Sequence, residues 1–120
     1  QGYGRIYNME GLGSNNMMIP KTIVYGSTKR LLTFFSHACN KELKSNKNIF
    51  VGTLSPGMVY TDFIKHSIDL EDSKITKILA NTVEEVTPFL VKKMLQGKKH
   101  INWLNNFKII WRFSTFWLKK

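Results

Sequence analysis

Between Gly4 and Ser55 the hydrophobic period of the chain changes twice, from strand-like to helical and back, and this alternation limits the fold more than any other feature. Gly4-Arg5-Ile6-Tyr7-Asn8-Met9 reads as a short strand emptying into a polar loop that carries Gly11, Gly13, Ser14, Asn15 and Asn16. From Ile23 to Leu43 the apolar residues Val24, Leu31, Leu32, Phe35, Ala38, Cys39 and Leu43 recur three or four apart. They follow Pro20, which a helix entrance tolerates, and predict a long helix. Ser45-Asn46-Lys47-Asn48 is a turn, and Ile49-Phe50-Val51-Gly52-Thr53-Leu54 suits a buried strand ending at the Ser55-Pro56-Gly57 loop. Strand, helix and strand in this order predict a βαβ unit of the α/β class, with a parallel sheet and ligand sites at the carboxyl ends of its strands.

Beyond that unit the signals are more local. Residues 62 to 82 are mixed and polar and predict a mobile segment with short helices. Thr82-Val83-Glu84-Glu85 is a capping box opening a helix over Glu84 to Leu95, which runs out at Gly97. The last 20 residues are amphipathic and predict partial helix, with no internal repeat or low-complexity block anywhere. We divide the chain into a body over 1–97 and a basic aromatic tail over 98–120.

Most of the net charge of +10 lies near the C-terminus: through Glu85 there are ten basic and eight acidic residues, whereas 86–120 holds eight Lys/Arg and no acid. The same stretch carries Phe89, Trp103, Phe107, Trp111, Phe113, Phe116 and Trp117. Three readings are open for it. A basic patch suits nucleic acid, but no binding motif accompanies it. Rings interleaved with cations suit a membrane surface, and a basic helix packed on its own fold suits the pattern as well. No apolar run approaches the ~20 residues of a spanning helix, and no basic stretch followed by an apolar core marks a signal peptide. The chain opens on Gln1 rather than Met, as a piece of a longer protein would. Cys39, the one cysteine, weakly favours a reducing compartment.

Tyr25 and Lys29 are the residues suited to chemistry. Four positions apart on one helix, they share a face. A phenol titrates near ~10 and serves acid-base catalysis near neutrality only when a neighbouring cation stabilises its phenolate. Such a pair can protonate a carbonyl oxygen while a hydride reaches the carbon. His37 reads as a packed or partly exposed helix residue, and His66 and His100 as isolated, with no metal-ligand spacing. Glu10 and Asp62 read as solvated carboxylates or loop-stabilising acceptors flanking the two loops, and Met17-Met18 as pocket lining or core filling.

Taken in order, the strand and Gly/Ser loop, Tyr25-Gly26-Ser27-Thr28-Lys29, and Ser55-Pro56-Gly57-Met58-Val59-Tyr60-Thr61 resemble the C-terminal half of the short-chain dehydrogenase/reductase family. Asn8-Met9-Glu10-Gly11-Leu12-Gly13-Ser14, Val24-Tyr25-Gly26-Ser27-Thr28-Lys29, the Ser55–Asp62 segment and the His100-Ile101-Asn102-Trp103-Leu104 tail are similar, more narrowly, to the chlorophyll b reductases. The resemblance implies the C-terminal part of a Rossmann-type doubly wound parallel sheet. It also implies NADPH-dependent reduction of the 7-formyl group of chlorophyll b or chlorophyllide b to hydroxymethyl, in the chloroplast at the thylakoid or on a cyanobacterial thylakoid surface.

By that resemblance Tyr25 donates the proton, and Lys29 lowers its pKa and holds the nicotinamide ribose. Pro56 and Gly57 turn the chain against the ring, while the backbone near Val59 and the Thr61 hydroxyl fix the carboxamide and a phosphate. The family's usual serine position, thirteen before Tyr25, is Leu12, and Met9-Glu10 replaces its Ser-Ser pair, so Ser14 takes the carbonyl hydrogen bond, the alternative being a serine of the loop turn. The Gly-rich turn that binds pyrophosphate has no counterpart in these residues, which predicts weak NADPH binding by the chain alone. An antenna protein and homo- or hetero-oligomeric partners are further implications. A reductase of another apolar carbonyl, or a non-catalytic remnant that binds a partner, fits the same residues.

Overall fold

The computed structural model describes residues 1–65 and 73–118, so His66 and the middle of the polar 62–82 segment lie outside the described residues. The order is β1 (Gly4–Met9), α1 (Ile23–Glu42), a 3-10 turn (Leu43–Ser45), β2 (Ile49–Ser55), α2 (Asp62–Lys65), α3 (Lys74–Leu79), α4 (Val83–Leu95), β3 (His100–Asn102) and α5 (Asn106–Leu118). These pack as two compact units, Gln1–Ser55 with Lys92–Ile101, and Pro56–Val91 with Asn102–Lys120.

In the first unit β1 and β2 run parallel, in register from Gly4 opposite Ile49 to Met9 opposite Leu54. β3 lies on the far side of β2, giving the order β1-β2-β3 and the parallel α/β sheet that the alternating periods predict. Three residues are too few to show a period, which is why β3 has no signal in the sequence. Phe50, Val51, Thr53 and Leu54 of β2 are buried. Gly52 is required between them: a Cβ there would lie 2.5 Å from the Tyr7 ring and 2.8 Å from the Lys99 carbonyl.

Helix α1 forms where its period predicts, but it does not pack by its large apolar side chains. Val24, Leu31 and Phe35 face outward, and Thr33 and Ser36 are buried. The small hydroxyl residues allow close approach to the strands and bring their own partners. Asn8 Nδ2 donates to Ser36 Oγ at 3.0 Å, and Ser36 Oγ donates to the Leu32 carbonyl at 2.7 Å. Asn40 clasps β2 by accepting from the Val51 N–H at 3.0 Å and donating to the Val51 carbonyl. Arg5 closes the unit, its guanidinium donating to the carbonyls of Met94 and Leu95 at the end of α4 while Tyr7 Oη donates to the Lys98 carbonyl at 2.8 Å.

In the second unit α4 opens with the capping box read from sequence: Thr82 N–H donates to Glu85 Oε2 at 3.0 Å and Glu85 N–H to Thr82 Oγ1 at 3.3 Å. Val86 and Leu90 of α4 are buried, as are Ile64 and Leu104. Phe89 meets Trp103 edge to face at 5.2 Å, and the Lys108 ammonium lies 3.6 Å from the Trp103 ring centre. Arg112 of α5 donates to the Leu79 carbonyl and to Asn81 Oδ1, tying α5 to the end of α3.

Candidate active site

In the first unit β1 ends at Met9, and the chain then crosses the first turns of α1. The crossing is close at two glycines, and at Gly13 backbone conformation and the facing backbone both require glycine. A Cβ on Gly11 would sit 2.5 Å from Tyr25 Oη and 3.1 Å from Lys29 Cε, and one on Gly13, at φ 99, would sit 2.6 Å from the Gly26 Cα. The loop is thus fitted to the face that carries Tyr25 and Lys29. Lys29 Nζ donates to the Met9 carbonyl at 3.2 Å and stands 5.7 Å from the Tyr25 ring centre. The ammonium is held at the end of the strand, and Tyr25 remains 42% exposed to solvent.

Ser14 is buried inside this loop. Its hydroxyl accepts from the Gly11 N–H at 3.0 Å and donates to the Lys29 carbonyl at 3.3 Å, while Arg30 donates to the Ser14 carbonyl at 3.0 Å. Its single proton is used within the fold, so in this geometry Ser14 ties loop to helix. Tyr25, Lys29 and Ser14 therefore come together in one unit.

Two residues beside the loop have more to do than their sequence context suggests. Of the two readings of Glu10, the solvated one does not hold: its side chain is only 11% exposed, and its carboxylate lies 3.9 Å from His100 Nδ1. The same nitrogen is 2.7 Å from Thr53 Oγ1, so His100 is not isolated. No sequence signal finds this group, because β3 brings His100 back to β2 from 47 positions away. Met18 is exposed and fills no core, and His37 is exposed as well.

In the second unit Pro56, Gly57, Val59 and Thr61 form one segment. Gly57 is at φ 72, and a Cβ there would fall 2.4 Å from Leu104 Cδ1, so conformation and space both require glycine. Val59 bridges to Asn81: Tyr60 N–H donates to the Asn81 carbonyl at 2.8 Å and Asn81 N–H to the Met58 carbonyl at 3.0 Å. In such a bridge the N–H and C=O of Val59 itself point away from Asn81. Thr61, exposed, leads into α2 and its carbonyl accepts from the Ile64 N–H at 2.9 Å.

A rice protein, probable chlorophyll(ide) b reductase NYC1, chloroplastic (Oryza sativa subsp. japonica), is 35% identical over 120 residues, covering 98% of this chain. The Arabidopsis thaliana protein of the same name is 34% identical over the same share. Chlorophyll(ide) b reductase NOL, chloroplastic, of Arabidopsis thaliana is 35% identical over 73% of the chain. The chain is a homologue of the chlorophyll(ide) b reductases. It spans about a quarter of the length of these curated relatives, 24% of the NYC1 proteins and 26% of NOL. No family model and no solved structure matches it.

Proposed function

We propose that the chain supplies the carbonyl-reducing part of a chloroplast chlorophyll(ide) b reductase, which converts the 7-formyl group of chlorophyll b or chlorophyllide b to hydroxymethyl with NADPH. The observation that carries this reading is the Gly11–Ser14 loop lying on Tyr25 and Lys29, so that a Cβ at Gly11 would meet the ends of both side chains. It fixes a phenol and an ammonium on one helical face beside the end of a parallel strand, where α/β folds bind ligands.

NADPH, when bound, would supply a hydride for the formyl carbon. Tyr25 Oη gives its proton to the formyl oxygen as the alkoxide charge develops. Lys29, anchored at the Met9 carbonyl, supplies the positive charge that balances the phenolate left behind, and its ammonium is suited to the hydroxyls of a ribose. The main-chain N–H and C=O of Val59 form a donor-acceptor pair of the kind a carboxamide requires, and Asn81 fixes their direction. Pro56 and Gly57 turn the chain at that stretch, Gly57 at φ 72, and the hydroxyl of exposed Thr61 is suited to a phosphate. Ser14 positions the loop.

The test is reduction of chlorophyllide b with NADPH by a protein containing this chain, followed by the change in pigment absorption. Tyr25→Phe abolishes turnover and Lys29→Met lowers it strongly. Full activity in Tyr25→Phe, or reduction of other apolar aldehydes but not of chlorophyllide b, overturns the reading.

A further inference from the structure

Asn81 is 4% exposed, and each of its polar groups has a partner within the second unit. Its main chain makes the two hydrogen bonds of the Val59 bridge. On its side chain, Nδ2 donates to the Leu79 carbonyl at 2.8 Å and to the Met58 carbonyl at 3.4 Å, and Oδ1 accepts from Arg112 Nη2. The Arg112 guanidinium spans two acceptors, because its Nη1 donates to the same Leu79 carbonyl at 3.3 Å. A planar fork suits that double task, and its charge strengthens both bonds. It also decides which way the Asn81 amide faces. Turned over, the amide would set its NH2 against the guanidinium and its oxygen against two carbonyls. Arg112 comes from α5, 31 positions further along the chain, so no local signal in the sequence connects the two.

We propose that Arg112 is a positioning residue, acting through Asn81 to hold the main chain of Val59 against the carboxamide of a nicotinamide cofactor. This role rests on the proposed reductase function, which requires such a cofactor. Asn81 bonds to both neighbours of Val59, accepting from the Tyr60 N–H at 2.8 Å and donating to the Met58 carbonyl at 3.0 Å. The Val59 N–H and C=O are thereby turned to the other side, as a donor and an acceptor matched to the C=O and NH2 of a carboxamide. Two bonds to one planar group form together only while both partners keep their direction. Without Arg112 the Asn81 side chain is no longer fixed, and the Met58 carbonyl loses its second donor. Through this one residue α5 contributes to cofactor binding without touching the cofactor.

Two measurements on a protein containing this chain test the role. Without cofactor, hydrogen exchange at the Tyr60 and Asn81 amides is slow in the unmodified protein and at least about tenfold faster in Arg112→Met. Without pigment, fluorescence titration compares NADPH with its reduced analogue carrying an acetyl group in place of the carboxamide, which keeps the acceptor and lacks the donor. The unmodified protein prefers NADPH by about tenfold, and Arg112→Met binds the two within about threefold. A general loss of structure would weaken both cofactors alike and leave their ratio unchanged. Arg112→Lys, which keeps a cation but not the fork, falls between the two. Lys108→Met removes the other cation of α5, which lies on the Trp103 ring, and keeps both the slow exchange and the preference. Fast exchange at Tyr60 in the unmodified protein, unchanged exchange in Arg112→Met, or an unchanged preference in Arg112→Met overturns the proposal. Chlorophyllide b left unreduced by a protein whose NADPH preference responds to Arg112 overturns the reductase reading instead. Absence of NADPH binding overturns both.

Discussion

Gly11 lies where a single methyl group would stand 2.5 Å from the hydroxyl of Tyr25. Loop and phenol therefore share one packing constraint, and Gly11→Ala must displace Tyr25, Lys29 or the loop. Displacement of a reacting group by about 1 Å costs as much as ~10²-fold in rate, and a loss of this order is expected in chlorophyllide b turnover. Gly4→Ala is the control, since a methyl group there would have nothing within 4 Å and activity should be unchanged. Equal rates for the two variants would show that the loop does not position Tyr25.

The clasp of Asn40 on Val51 predicts a stability effect with no rescue by a shape-preserving change. Asn40→Leu leaves the N–H and the carbonyl of Val51 without their side-chain partner, a cost of ~1–3 kcal/mol for buried polar groups. Asn40→Asp keeps an acceptor for the N–H but sets a carboxylate against the carbonyl, so it too loses stability. Thermal unfolding followed by circular dichroism reads both, and a melting temperature unchanged in Asn40→Asp would refute the account.

Burial pushes the Tyr7 phenol above its ordinary value of 10.0, against the opposing pull of the Arg5 cation. The folded state then holds the phenolic proton more tightly than the unfolded chain does. This contribution is complete below the unfolded value and is lost as pH rises through the folded one, on the alkaline side of 10.0. Urea unfolding across that range should show a steeper loss in the unmodified chain than in Tyr7→Phe. Parallel slopes would remove Tyr7 as the source.

Gly57 meets two separate obstacles to substitution, and they can be told apart. Gly57→Ala incurs ~1–2 kcal/mol for a left-handed backbone as well as the clash with Leu104. Adding Leu104→Ala removes the clash but not the backbone cost, so the double variant should be more stable than the sum of the single effects predicts. Strict additivity in denaturant unfolding would show that Leu104 already yields to the methyl group.

The local signals in the sequence carry over well and the long-range ones do not. The helix over Ile23–Glu42, the two parallel strands and the Thr82–Glu85 box each follow from a period or cap contained within a few residues. The packing face of α1 does not follow, since the apolar period marks Leu31 and Phe35 while the strands receive Thr33 and Ser36. The period reports that the residues form a helix, and the space left by Asn8 and β2 decides which side is buried. In the site, Tyr25 and Lys29 are legible because four residues of helix suffice to juxtapose them. Glu10, Thr53 and His100 are not, because only the sheet order brings them together.

Arg5 finds its carbonyl partners 89 and 90 positions downstream, on Met94 and Leu95. Order of synthesis therefore matters for the first unit. Strand β1 leaves the ribosome well before the groups that receive its arginine and Tyr7 have been made. A stop codon placed just before Lys92 would remove the final piece of that unit as well as the downstream tail. Strand β1 would then lack the hydrogen bonds that hold its outer end.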